Sequence, residues 1–90
     1  MIVTVARVSD PDHFLEIFRT VGARKRREHG CRAARAYVDP EDAHRVWSFF
    51  DWDATDYEGF LADPEIPAIA RRLGLLAGPV HVTAAADLDA

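Results

Sequence analysis

A single cysteine, Cys31, stands in a chain of 90 residues, so no internal disulfide can form. No apolar run approaches the ~20 residues needed to cross a bilayer, and no hydrophobic signal segment opens the sequence. These absences exclude a disulfide-stapled scaffold and a membrane-spanning helix. They lead to the expectation of a reducing, cytoplasmic setting. Internal repeats and low-complexity linkers are also missing, and only a short polar tail runs from Asp87 to Ala90. There is no basic excess: the formal net charge is −4, which weighs against nucleic acid or an anionic membrane as a partner. A chain of this length suffices for one domain, residues 1–90, and for no second.

What is present is patterned. Residues 2–8, IVTVARV, are rich in β-branched side chains and predict a first strand. Ser9-Asp10-Pro11 opens a helix, with Asp10 able to cap and Pro11 placed where its missing N–H costs nothing. Phe14, Ile17, Phe18 and Val21 then fall on one stripe of a helix that runs to His29 and stops at Gly30. Arg24, Lys25, Arg26 and Arg27 sit in its last turns, where cations complement the negative end of the dipole. Residues 31–38, CRAARAYV, predict a second strand, and Asp39-Pro40-Glu41-Asp42 a turn. The stretch 45–53, RVWSFFDWD, predicts a third. Asp53 is expected to cap a helix with Tyr57, Phe60 and Leu61 on one face. Asp63-Pro64 breaks it, and a further helix carries Ile66, Ile69, Ala70 and Leu73 to Gly74. Gly78-Pro79 leads into a last strand, VHVTAAA. The order is β-α-β-β-α-β, an α+β ferredoxin-like protomer with a four-stranded antiparallel sheet and its helices on one side.

The third strand makes both faces of that sheet apolar, since Trp47 and Phe49 alternate with Phe50 and Trp52. Two helices cover one face. The other, with Val3, Val5, Ala33, Trp47, Phe49 and Ala85, would expose roughly 450 Å² by strand geometry, near the upper end for a soluble monomer. Pairing with a second copy would bury on the order of 900 Å² at the sheets alone, and edge contacts would add more. A symmetric homodimer through the sheet face is therefore expected.

The strand ending in Phe50-Asp51-Trp52, the helix with Phe60-Leu61, the Asp63-Pro64 break and the Gly74-to-Pro79 return, in that β-α-β-β-α-β order, resemble the dimeric α+β barrel superfamily. The likeness is to small proteins related to antibiotic-biosynthesis monooxygenases, and it covers nearly the whole chain. It implies two sheets packed face to face into a barrel, with a small hydrophobic or aromatic molecule held in a cleft between sheet and helices. It also implies cofactor-independent monooxygenase-like or cyclase-like chemistry on polyketide-like phenols, with no heme or flavin. Trp52 matches the position of a Trp that monooxygenase-like members use near the end of the third strand. The Asn that commonly assists on the first strand has no counterpart, because the chain contains no asparagine and offers Arg7 there. Heme-degrading relatives carry a histidine ligand where this chain has Ala70 and Arg71, so heme is not expected.

Apart from any relative, the strands show polar residues of matched parity: Arg35 and Tyr37, Trp47 and Asp51, His81 and Thr83. Converging in one cavity they could orient an aromatic or carboxylated ligand, with Asp51 or His81 as proton acceptor and Trp52 and Tyr57 shaping an aromatic cleft. The competing assignment makes Arg35 and Asp51 a cross-strand ion pair, Tyr37 and Trp47 interface packing, and His81 a rim residue. His13, His29 and His44 show no metal-motif spacing, so no metal is expected. Cys31 suits packing better than nucleophilic attack. Asp53, Asp56, Glu58, Asp63 and Glu65 have the character of caps and a solvated helix face.

Two further functions share this strand order. A non-catalytic dimer could shelter a small ligand in the same cleft. An RNA-recognition module would use Trp47 and Phe49 as stacking platforms, and Arg45 to Trp52 resembles its third-strand signature. Against RNA stand Val46 in place of the motif glycine, Val3 in place of an aromatic residue, and the acidic loop Pro40-Glu41-Asp42.

Overall fold

The computed structural model describes residues 1–76 and, as backbone, residues 80–83. Strand β1 spans Ile2–Arg7, β2 Ala33–Asp39, β3 Asp42–Asp51 and β4 Val80–Thr83. They form one antiparallel sheet in the order β2-β3-β1-β4, which leaves β2 and β4 as edges. The Gly78-Pro79 lead-in, the extension of the last strand through Ala85 and the polar tail lie outside the described residues.

The expected first helix is three segments on one axis: α1 (Pro11–Ile17), a π turn (Phe18–Gly22) and α2 (Ala23–Glu28). Asp10 caps α1 as expected, its carboxylate accepting from the backbone N–H groups of Asp12 and His13. The widened turn had no signal in the apolar stripe. Gly22 permits it locally, because an added Cβ would lie 3.1 Å from Arg26 Nη1 and 3.2 Å from the Ile17 carbonyl oxygen. Helices α3 (Ala54–Leu61) and α4 (Ile66–Leu73) complete the helical layer. Asp53 occupies the N-cap of α3 without a side-chain capping bond; its carboxylate accepts instead from Arg32 at 3.2 Å. Gly74 closes α4 in the left-handed region at φ 73°, the conformation glycine adopts without a Cβ penalty.

Alternation along the strands decides which residues reach the core. Ile2, Thr4, Ala6 and Val8 face the helices with Val46, Ser48, Phe50 and Trp52, and all are buried. Phe14, Phe18 and Tyr57 fill the space above them, each large buried side chain contributing ~1.5–3 kcal/mol. Aromatic packing is continuous, with Phe18 and Phe50 at 6.1 Å, Phe50 and Trp52 at 5.7 Å, and Trp52 and Phe60 at 4.9 Å between ring centroids. Leu61 departs from the expected face and is exposed. The opposite side of the sheet carries Val3, Val5, Trp47 and Phe49, half-buried in the single chain, with Ala33 and Tyr37 exposed.

The basic cluster at the end of α2 is not simply a solvated dipole complement. Lys25 and Arg26 are both buried. Lys25 Nζ pairs with Asp63 at 2.9 Å, Glu28 at 3.0 Å and Glu65 at 3.1 Å, and so ties α2 to the α3–α4 turn. His29 Nε2 lies 2.8 Å from the same Asp63 carboxylate. Asp63 is therefore the centre of a tertiary clamp rather than part of a solvated face, while Glu65 joins it from an exposed position.

Candidate functional site

The second strand has an unusual helix-facing side. Where β1 and β3 place Ile2, Val46 and Phe50 toward the helices, β2 places Ala34 and Ala36, two small residues on an edge strand. Small side chains under a helix leave space, and here they leave a groove between β2 and the α1–π–α2 axis. One end is a cavity of about 410 Å³ lined by Leu15, Phe18, Ala34, Ala36, Arg35 and Tyr37. The other is a cavity of about 280 Å³ that reaches Arg26, Arg27, Cys31 and Arg32. Phe18, Arg19 and Ala34 border both, so the two are one groove. Its larger end falls within the ~300–1,000 Å³ typical of small-ligand pockets.

Among the described residues no carboxylate borders either cavity, whereas five arginines do. On a chain of net charge −4 this concentrates positive potential in one place. Arg26 is the deepest of them, at 8 % exposure. Its guanidinium lies 3.9 Å from the centroid of the Phe18 ring, and Nη2 donates to the Phe18 carbonyl at 3.0 Å. Burial away from any counter-charge lowers its pKa to about 10, so it is charged at neutral pH. Arg32, at the rim, donates to Asp51 at 2.9 Å and to Asp53 at 3.2 Å, and this contact holds the Asp51 carboxyl below the usual carboxylate range. The Cys31 thiol donates to the Ala33 carbonyl at 3.4 Å. Burial pushes its pKa up, which suits a packed thiol rather than a thiolate nucleophile.

The residues expected to converge divide among three places. Arg35 and Tyr37 border the larger cavity. Trp47 lies on the open sheet face, its indole N–H donating to Asp39 at 2.9 Å. Asp51 is exposed at the end of β3 and pairs with Arg32; Arg35 stands opposite Phe49, so the expected Arg35–Asp51 pair does not form. His81 pairs with Thr4 across β1 and β4, a helix-side register, while Val80 and Val82 stand opposite Val5 and Val3. It is thus out of phase with Arg35, Tyr37, Trp47 and Asp51. The side chains of Val80 to Thr83 lie outside the described residues.

Trp52 and Tyr57 require a correction. They fill the core at 2 % and 5 % exposure rather than lining an open cleft. Trp52 Nε1 donates to the His29 carbonyl at 2.8 Å, and its ring meets Tyr57 at 5.3 Å. Burial raises the Tyr57 phenol pKa. The parity of Trp52 puts it on the helix side as expected, but Phe50 and Phe60 leave no room beside it. The other histidines are structural: His13 Nε2 is 2.7 Å from the Arg72 carbonyl and His44 Nδ1 is 3.0 Å from the Val8 carbonyl. Among the described residues no group of His, Cys, Asp and Glu could hold a metal ion. None of the described helices is long and apolar enough to cross a membrane.

Arg26, Ala34 and Ala36 are the site residues that patterning missed. The signal for the alanines was in CRAARAYV, where period 2 puts small residues on the side that should be filled. For Arg26 the signal was weaker: it lies eight residues after Phe18, on the same stripe of an ideal helix.

No protein-family model matches this chain, and no curated protein sequence matches it significantly. Solved structures do. A variant of SnoaB, a cofactor-independent oxygenase from Streptomyces nogalater, superposes with a TM-score of 0.73 at 19 % identity, covering 99 % of this chain and 95 % of that one. An antibiotic biosynthesis monooxygenase aligns at TM-score 0.58 and 16 % identity, over 91 % of this chain and 94 % of its own. A NIPSNAP domain protein of uncharacterized function from Burkholderia xenovorans gives 0.65 at 21 % identity, with 98 % of each chain covered. The α+β fold is the one these antibiotic-biosynthesis-monooxygenase-like structures share, in agreement with the resemblance seen in the sequence.

Proposed function

We propose that this chain is a small-molecule protein of the monooxygenase-like or cyclase-like kind that takes an aromatic, polyketide-like metabolite into the groove between α1 and β2. It would do so without a cofactor, as a homodimer joined through the open sheet face. The groove is the observation that supports this most directly: an aromatic wall at Phe18, an alanine floor at Ala34 and Ala36, and a volume of about 410 Å³ at its wider end. A flat ring fits against such a wall, and edge-to-face or stacked contact with it favours binding.

In a cofactor-independent oxidation the electrons that reduce dioxygen come from the substrate, and a phenol gives them up most readily as phenolate. One phenol and one dioxygen then yield one quinone and one water. Arg19, on the wall of the wider cavity, would favour the anion by its charge. One observation favours the second reading, a non-catalytic dimer that shelters its ligand: the groove borders contain no carboxylate or imidazole to move a proton.

The test is a panel of hydroxylated polyaromatic phenols under air, followed by oxygen uptake and quinone absorbance, with molar mass by light scattering. Oxygen uptake lost in Ala34→Leu supports the oxygenase. Tight binding without uptake moves the assignment to the sheltering role. A monomer that retains single-stranded RNA through Trp47 would overturn both.

A further inference from the structure

Four of the eleven lysine and arginine side chains pair with carboxylates, Arg7 with Asp42, Lys25 with three acids, Arg32 with two and Arg45 with Asp39, and the others but one are exposed. Arg26 is the exception that is also buried. It has no carboxylate partner among the described residues, and its one polar contact is the Phe18 carbonyl. Taking a guanidinium out of water without a counter-charge is costly, and a buried charge is ordinarily paired. Stacking on Phe18 offsets part of that cost, but it uses a face of the group and leaves in-plane N–H donors. Every fully buried side-chain nitrogen or oxygen among the described residues has a partner, so the free donors of Arg26 reach solvent, and Arg26 opens onto the narrow cavity. Gly22 keeps that arrangement possible, since a Cβ there would crowd Nη1. Arg27 and Arg19 border the same cavity, and among the described residues neither has a carboxylate within ion-pair reach.

We infer that the ligand of this groove is an aromatic carboxylic acid, seated with its carboxylate in the narrow cavity against Arg26, flanked by Arg27, and its ring in the wider cavity against Phe18 and over Ala34 and Ala36. This rests on the groove being the ligand site, as proposed above, and adds the chemical class and the direction of entry. The planar fork of Arg26 matches a carboxylate better than a neutral oxygen or an ammonium-seeking group would. The ligand supplies the counter-charge that the described residues do not. Arg19, which borders both cavities, is left to act on the ring.

The probe pair is 2-naphthoate and 2-naphthamide, which share a ring and differ in charge. Titrated into the full-length protein by calorimetry, the acid should bind at least ~10-fold more tightly than the amide, the scale of a charge-assisted hydrogen bond. Its affinity should fall as salt is raised. Arg26→Met, which keeps an apolar stem over Phe18, should erase the preference while leaving amide binding in place. Arg27→Ala changes an exposed side chain; it should weaken the acid about threefold by loss of a partly screened charge and leave the amide unchanged, so the inference remains testable if Arg26→Met does not fold. Equal affinity for acid and amide, or a preference that survives in both variants, overturns the carboxylate assignment and leaves the aromatic groove standing. Failure of both probes to bind, with Ala34→Leu indistinguishable from wild type in the phenol panel, overturns the groove as well.

Discussion

Replacing Trp52 by phenylalanine separates a core residue from a substrate contact. The indole is 2 % exposed and is enclosed by Phe50, Tyr57 and Phe60. Phenylalanine removes the N–H that reaches the His29 carbonyl at 2.8 Å, a loss of about 1 kcal/mol when the carbonyl can find water and more when it stays dry. It also removes roughly three heavy atoms of ring, at ~0.8 kcal/mol per buried carbon. The sum is about 3 kcal/mol. For a domain of this size each kcal/mol shifts Tm by ~4–8 °C, so a fall of about 10–20 °C is expected. The assay is thermal unfolding by circular dichroism at matched protein concentration, since Trp47 would confuse a fluorescence readout. Tyr57→Phe, which keeps the ring, should cost much less. A Trp52→Phe protein that melts within about 2 °C of wild type, well below that scale, yet no longer binds or turns over an aromatic ligand would show that the indole meets the ligand and that the core description is wrong.

Acid should loosen the helical layer through Asp63. Its carboxyl is held below the ordinary value by His29, then by the Glu65 backbone N–H and by Lys25, so its contribution is complete above the unfolded value of about 4 and fades as pH falls through the lower folded one; Asp63→Asn should flatten the dependence of the urea midpoint on pH in that acidic range. Gly74→Ala should cost about 1–2 kcal/mol for its left-handed backbone, with further strain from a Cβ placed 2.8 Å from Ser9 Oγ, measured as a shift in urea midpoint at constant slope. Val5→Glu, beside Trp47 on the open sheet face, should shift the molar mass in light scattering from dimer to monomer, while circular dichroism stays that of the wild type.

Element order and facing were readable because they depend on local rules. The Asp10-Pro11 start, the Gly30 and Gly74 stops and the alternation through Trp47 to Trp52 each reflect one physical constraint acting over a few residues. Register was less accessible. The pairing of His81 with Thr4 is set by long-range contacts between β4 and β1 that the sequence of β4 alone does not record. The π turn escaped notice because the stripe of Phe14, Ile17 and Phe18 looks the same whether or not one later turn widens. The burial of Lys25, Arg26 and Asp63 depends on how α2 docks on the α3–α4 turn, which dipole and capping rules acting within one helix do not encode. The groove depends on an absence of bulk at Ala34 and Ala36, and missing side chains give weaker signals than present ones.

Filling that groove is the most direct test of its role. Ala34 borders both cavities, and leucine there would occupy the shared passage while keeping the strand apolar. With circular dichroism and molar mass unchanged, Ala34→Leu is expected to abolish binding of 2-naphthoate and of the phenols measured by calorimetry. Undiminished binding by a folded Ala34→Leu protein would place the ligand elsewhere and contradict the functional assignment.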